Sequence, residues 1–143
     1  MNVATENFSD PNTGVGAFLS TKGDARRLFV YDPGLGVIES DGCTTQGRTF
    51  LAVDRVPGFK RVLIGLTCLD KASVSQGKTH FFEHLPGTRE VRAIKTVSAQ
   101  LNPVASHFYF DERGLDVWLS FDGEIWRSSP GTKDLRLWPP SHP

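Results

Sequence analysis

The residues with the clearest potential for chemistry lie in the stretch THFFEHLPG, residues 79–87 of a 143-residue chain. His80, Glu83 and His84 form the pattern HxxEH, in which two histidines one helical turn apart can bind zinc while the glutamate acts as a base. The pattern works only on a helix. The run is aromatic and ends in a Pro-Gly pair, so we expect a strand, which would hold the two histidines roughly 13 Å apart. We therefore predict no metal site.

A second candidate for chemistry is a group of acidic residues around one turn near the C-terminus. A pair of carboxylates there could hydrolyse glycosides, but acids beside glycine usually serve turn geometry and solubility. The chain carries no GxSxG, Walker A, Rossmann glycine or CxxC motif, and we predict no cofactor. A small, hydrolase-like enzyme stays open as an alternative. The carboxylate pair would be drawn from Asp111, Glu112, Asp116 and Asp122, and the enzyme would use acids and histidines from separate loops, such as Asp111, Asp116, His107 and His84.

Charge and hydropathy limit the classes of partner. Sixteen basic and sixteen acidic side chains cancel, and no run of five like charges occurs, so we expect no nucleic-acid partner. The longest strongly apolar run, 62–69, is far shorter than the roughly twenty residues that cross a bilayer. The first residues, MNVATENFSDPNTG, lack the basic and apolar regions of a secretory signal. The expected location is the cytoplasm.

The cysteines support the same location. Cys43 and Cys68 are 25 residues apart, and neither belongs to a CxxC or zinc-type spacing. We interpret them as reduced structural thiols, as is usual for cytosolic chains. A catalytic cysteine stays open.

The distribution of apolar residues is typical of a β protein. Runs rich in Val, Ile, Phe and Trp alternate with turns that contain Gly and Pro, which predicts short antiparallel strands. We expect a single mainly β domain over residues 16–138, closed as a barrel or folded as a two-layer sandwich, with polar tails at 1–15 and 139–143. The strands are predicted near residues 17–21, 27–32, 36–40, 48–54, 61–69, 78–84, 90–99, 106–111, 115–121, 124–128 and 134–138.

A weak internal repeat accompanies these strands. Four segments each contain an apolar residue, an acid, a turn with glycine and a strand with valine, which suggests one hairpin used four times. The turn glycines of the repeat are Gly34, Gly58, Gly87 and Gly114.

One segment also fits a helix. Between residues 89 and 101, Val91, Ile94 and Val97 recur at helical spacing, so an α+β fold with one helix here is the alternative. The same segment alternates as a strand except at Ile94 and Lys95. Its content of Val, Ile and Thr favours the strand.

The hairpin at residues 107–120 carries the candidate binding site. Alternation places Phe108, Phe110, Val117 and Leu119 on a core face, and we expect these four to be buried together with Leu63 and Leu66. The opposite face is aromatic and polar, the kind of surface that binds ligands or partners. A covering loop or second sheet is the competing interpretation. The predicted ligand-binding residues are His107, Tyr109, Asp116, Trp118 and Ser120.

The stretch SFDGEIWRSS, residues 120–129, resembles the blade hairpins of β-propellers, in particular the Asp-box and tectonin-type repeats. Those repeats share a Ser, an Asp, a Gly and then an aromatic residue, matched here by Ser120, Asp122, Gly123 and Trp126 with a spacing one residue shorter than in the Asp-box. A whole propeller has four or more blades of about forty residues, whereas 143 residues supply three at most. The resemblance therefore implies a hairpin of this type.

Together these patterns predict a non-enzymatic binding or interaction module with an aromatic and polar recognition face. Its ligand would be a sugar, a small molecule or a protein, and a homo-oligomer is one of the assemblies we keep open.

Overall fold

The computed structural model describes residues 8–9, 13–22, 25–43, 47–52, 60–69, 77–99, 106–121, 123–132 and 134–139. Strands make up most of these residues and none of them is helical, which confirms the mainly β prediction. Each of the eleven predicted strands corresponds to an observed one, and the sequence missed only the first. The strands are β1 (Phe8–Ser9), β2 (Gly16–Lys22), β3 (Ala25–Asp32), β4 (Gly36–Cys43), β5 (Gly47–Ala52), β6 (Val62–Leu69), β7 (Gly77–His84), β8 (Val91–Val97), β9 (Ser106–Asp111), β10 (Gly114–Phe121), β11 (Glu124–Ser128) and β12 (Arg136–Trp138).

The strands form three separate four-stranded sheets in chain order. β1–β4 make the first sheet, β5–β8 the middle sheet and β9–β12 the third sheet, and in each one every strand pairs antiparallel with the next. Because the described sheets are open and number three, the architecture is neither the closed barrel nor the two-layer sandwich that we expected. A four-stranded up-and-down sheet is the unit from which β-propeller blades are built.

The middle sheet is covered on both faces. One face contributes Val62, Ile64, Leu66 and Phe82 to a first core shared with β2, β3 and β4 of the first sheet. The other face contributes Leu63, Phe81 and Val97 to a second core shared with β9 and β10 of the third sheet. The three sheets are therefore stacked face to face. All six residues that the sequence predicted to be buried lie in these cores: Leu63, Leu66, Phe108, Phe110, Val117 and Leu119.

The repeating unit is a four-stranded sheet that occurs three times, whereas the sequence predicted a hairpin that occurs four times. In each sheet the turn between the third and fourth strands contains Pro-Gly at its centre, at residues 33–34, 86–87 and 130–131. Each turn is closed by an amide-to-carbonyl hydrogen bond of 3.1 Å across four residues. Gly34 does not have positive φ, whereas Gly87 and Gly131 do, as type II turns require. Gly114 follows a different turn, between first and second strands, and Gly58 lies outside the described residues.

Residues 91–97 form strand β8, so the helix alternative was wrong. Phe81 pairs with Lys95 and Phe82 with Ala93, which leaves Ile94 as the extra residue of a bulge. A bulge shifts the alternation of a strand by one position. This explains why Ile94 and Lys95 did not fit the strand pattern and why the spacing resembled that of a helix.

The N-terminal segment and Cys68 both differ from what the sequence predicted. Phe8 and Ser9 pair with β2 and Val15 is fully buried, although all three lie in the segment assigned to a tail. The domain boundary itself stays a prediction. Cys68 is disulfide-bonded, so the interpretation as a reduced thiol was wrong. The side chain of Cys68 packs against the first core. Residues far apart in sequence meet in this core, so no local sequence motif could reveal that Cys68 would find a disulfide partner.

The two faces of β9 can be compared by truncating adjacent aromatic residues. Phe108 is buried and packs edge-on against Phe81, with ring centroids 5.4 Å apart, whereas Tyr109 is 54% exposed on the other face. We predict that Phe108→Ala lowers the free energy of unfolding by about 3 to 5 kcal/mol. Tyr109→Ala in dilute protein should lower it by less than about 1 kcal/mol. Denaturant melts that show equal losses would contradict this assignment of faces.

Candidate functional site

The candidate site lies on the outer face of the third sheet, the face turned away from the middle sheet. In the β9–β10 hairpin Tyr109 pairs with Asp116 and His107 with Trp118. Ser120 follows two residues after Trp118 and so points to the same side. The structure thus brings all five predicted residues onto one face. Tyr109 is diagonal to Trp118 rather than directly opposite it, and the role of the face in binding stays a prediction.

These side chains surround an open cavity of about 580 Å³. The five predicted residues line it together with Asp111, Arg113, Leu119 and Ile125. Ile125 and Tyr109 are both exposed here, so the cavity combines aromatic and aliphatic surface with a few polar groups. Such a combination is usual for recognition sites.

Arg127 is the central residue of the site that sequence reasoning missed. Its guanidinium lies 4.6 Å from the ring centre of Trp118 and donates two hydrogen bonds of 2.9 Å to the carboxylate of Asp116. The ion pair and the cation–π contact hold the indole in place. Trp126 faces the second core, so its neighbour Arg127 faces outward, but β11 is too short for its faces to be assigned from sequence.

Trp138 completes the aromatic group. It lies on the edge strand β12 opposite Ile125, and its ring packs edge-on against Trp118 with centroids 5.3 Å apart. Trp138 adds to the outer face, where it remains 43% exposed.

Both carboxylates of the cavity are neutralised by arginines. Asp116 is paired with Arg127 as described, and Asp111 accepts hydrogen bonds of 2.7 and 3.0 Å from the guanidinium of Arg113. The hydrogen bonds from the side chain and the amide of Arg113 hold the pKa of Asp111 below its usual range. A general acid at neutral pH needs the opposite shift. His107 is exposed on the surface beside them.

The HxxEH residues do not converge. They lie on strand β7, and each has its own partner: His80 bonds Thr96 at 2.9 Å, and Glu83 pairs with Arg92 and Arg61. Burial, and then the charge of Lys78, lowers the pKa of His80. No cluster of three His, Cys, Asp or Glu side chains suited to a metal ion occurs in the described part of the chain.

His84 belongs instead to a buried link between the first and middle sheets. Its Nε2 lies 2.8 Å from a carboxylate oxygen of Asp32 and its Nδ1 lies 2.7 Å from the carbonyl of Glu90. Because a carbonyl can only accept, Nδ1 donates the bond to Glu90. Burial would raise the pKa of Asp32, but bonds from the Gly87 amide, His84 and the Gly34 amide outweigh it, and the pKa lies below its usual value.

Lys95 forms the corresponding link between the middle and third sheets, directly beneath the site. Its ammonium donates to the carbonyls of Leu115 at 2.7 Å and Ser129 at 3.0 Å, and to the hydroxyl of Ser128 at 3.0 Å. Burial lowers the pKa of Lys95 to about 8, although the charge of Asp116 opposes the shift. The lysine therefore ties β10 to the turn after β11 and fixes the strands that present Trp118 and Arg127.

The chain has no match among protein-family models, curated proteins or solved structures. Within the described ranges, no helix is long and apolar enough to cross a membrane.

The link formed by Lys95 can be tested by replacing the lysine with methionine, an uncharged side chain of similar shape. We predict that Lys95→Met lowers the free energy of unfolding by about 1 to 3 kcal/mol, because buried carbonyls lose their donor. Lys78→Met, on an exposed position of the same sheet, should change it by less than about 0.5 kcal/mol. Equal effects in denaturant melts would show that Lys95 does not join the sheets.

The same variant gives a pH test. Because the folded pKa of about 8 lies below the ordinary 10.5, the unfolded chain binds more protons between these pH values, and stability from this group rises with pH. We predict that the difference in unfolding free energy between wild type and Lys95→Met widens from pH 8 to pH 10.5. A difference that stays constant or narrows would contradict the lowered pKa.

Proposed function

We propose that the protein is a non-enzymatic binding or interaction module whose recognition surface is the outer face of the third sheet. The observation that carries the proposal is the cavity of about 580 Å³ whose lining combines Trp118 and Tyr109 with His107, Asp116 and Ser120. Tryptophan, tyrosine and arginine are the residues that contribute most at interfaces. Trp118 and Arg127 are held in one geometry by their mutual contact, which reduces the ordering cost of binding.

The ionic groups of the face support binding more than catalysis. The two carboxylates nearest the cavity, those of Asp111 and Asp116, are each engaged by an arginine. His84 is buried in the link to the first sheet and is not available to them. The small hydrolase-like enzyme is therefore less well supported, since a general acid needs a raised pKa, whereas the hydrogen bonds from Arg113 lower the pKa of Asp111.

The compartment forms a separate part of the proposal. The sequence predicts a cytoplasmic protein, but disulfides are rare in the cytosol and usual in oxidising compartments. The disulfide at Cys68 therefore favours an oxidising compartment. Counting free thiols by mass spectrometry in protein isolated without reductant would distinguish the two.

The function is tested with two tryptophan variants on opposite faces of the third sheet. Binding to glycans, metabolites and the chain itself is first screened with the wild type. We predict that Trp118→Ala weakens the binding found by about 2 kcal/mol or more and lowers stability only modestly. The control Trp126→Ala, whose side chain packs against the second core, should lose stability by about 3 to 5 kcal/mol.

The reverse pattern would reject the proposal. If Trp118→Ala unfolds the protein while the folded fraction binds as the wild type does, the tryptophan has a structural role. If no ligand, partner or self-association is found for the wild type, the outer face is not a recognition surface.

A further inference from the structure

In the part of the chain that the structure describes, the exposed large apolar side chains lie in the two end sheets. Among the described residues they are Tyr31, Leu35 and Val37 in the first sheet or its turn, and Tyr109, Ile125 and Trp138 in the third. The middle sheet, which has a neighbour on each side, has none among its described residues. Contiguous exposed apolar surface usually marks an interaction site.

The Pro-Gly turns allow residues of the three sheets to be compared position by position. Two residues before the turn proline stand Tyr31 in the first sheet, His84 in the middle sheet and Ser128 in the third. His84 and Ser128 are fully buried against the preceding sheet, whereas Tyr31 is 44% exposed. In the middle and third sheets the residue equivalent to Tyr31 is covered by the preceding sheet.

A cross-strand pair next to Tyr31 on the outer face of the first sheet leads to the same conclusion. Phe18 pairs with Phe29 on its outer face, and the two rings stack at 5.4 Å. The equivalent pairs are Ile64 with Phe82 in the middle sheet and Leu119 with Trp126 in the third. All four of these side chains pack into a core against the preceding sheet. The outer face of the first sheet therefore has the composition of a face that receives another sheet.

The outer face of the third sheet has the complementary role. Trp118 occupies the position of Ala17 and Leu63, each of which is buried beneath the following sheet. Ile125, three residues before Ser128, is 44% exposed, whereas its equivalents Leu28 and Phe81 are fully buried. This face therefore has the composition of one that a following sheet covers.

Each chain thus carries both halves of one interface. We propose that the partner of the recognition face is a second copy of this chain, whose first sheet packs by its outer face on the outer face of the third sheet. This inference rests on the proposed function, since it names the partner of the same face. The contact repeats the packing that already exists twice within the chain.

The number of copies follows from closure. Rings of packed four-stranded sheets typically contain four to eight of them. One copy supplies three sheets, two copies supply six and three copies supply nine, so only two copies fall in this range. Two such contacts related by a twofold axis form a closed ring in which no apolar end face remains exposed.

The charges of the two faces permit this contact. On the first sheet Arg27 pairs with Glu39 at 2.8 Å, and on the third Arg127 pairs with Asp116 at 2.9 Å. Because each of these two ion pairs is complete within its own face, docking does not separate these charges from their partners.

The test is the mass of the protein in solution, measured by sedimentation equilibrium. We expect the wild type to have twice the chain mass of 15.8 kDa. Val37→Glu and Ile125→Glu change one exposed position on each end face, and each should weaken dimerisation by about 30-fold or more, the scale of an interface hot spot. Ser98→Glu, at an exposed bend outside both faces, should dimerise as the wild type does.

Mixing the two variants shows which faces meet. Each variant alone has both contacts damaged, but a mixed dimer keeps one contact between an intact first sheet and an intact third sheet. If one glutamate is enough to open a contact, a second one in the same contact adds little, and the 1:1 mixture then forms dimers more strongly than either variant alone. Since both substitutions introduce the same charge, a new ion pair cannot produce this rescue.

Several outcomes would overturn the inference. These are a wild type that stays monomeric at all concentrations, an oligomer that keeps growing, and a dimer weakened by only one of the two glutamate substitutions. A monomeric wild type that still binds a glycan or metabolite through Trp118 would reject the second copy as partner and leave the proposed function intact. Circular dichroism of each variant at the same concentration verifies that it is folded.

Discussion

A β-sheet that is apolar on both faces must be covered on both sides, and the middle sheet imposes this requirement on the whole molecule. Along β6, Val62 to Thr67 are buried without interruption, because alternate side chains enter different cores. The first and third sheets therefore have to lie against opposite faces of the middle one. This stacking leaves each end sheet with one covered face and one open face, and the candidate site is the open face of the third sheet.

Polar groups inside the two cores give the stack a defined alignment. His84 joins Asp32 across the first core, and Lys95 reaches the carbonyls of the third sheet across the second. Apolar contacts alone tolerate sliding, whereas a buried charge that needs particular acceptors does not. The alignment set by Lys95 determines where β10 and β11 lie, and with them the contact between Trp118 and Arg127.

Alternation within strands made much of this predictable, and its limits explain the rest. The hairpin faces around Phe108 and Trp118 followed from period-two spacing alone. The bulge at Ile94 broke that period and made a strand resemble a helix. How the sheets are arranged could not be inferred, because the same hairpins can close into a barrel or stack in layers. Arg127 was missed because its strand was too short for its faces to be assigned.

In the proposed dimer the two copies cover both end faces of each other. The chain contains only two tyrosines, and Tyr31 and Tyr109 lie one on each end face, exposed in the single chain. Nitration of each tyrosine can be followed by mass spectrometry across a range of protein concentrations. We predict that the two rates fall together, with one midpoint, as the concentration rises. Rates that do not change with concentration, or protection of only one tyrosine, would contradict this arrangement of the two copies.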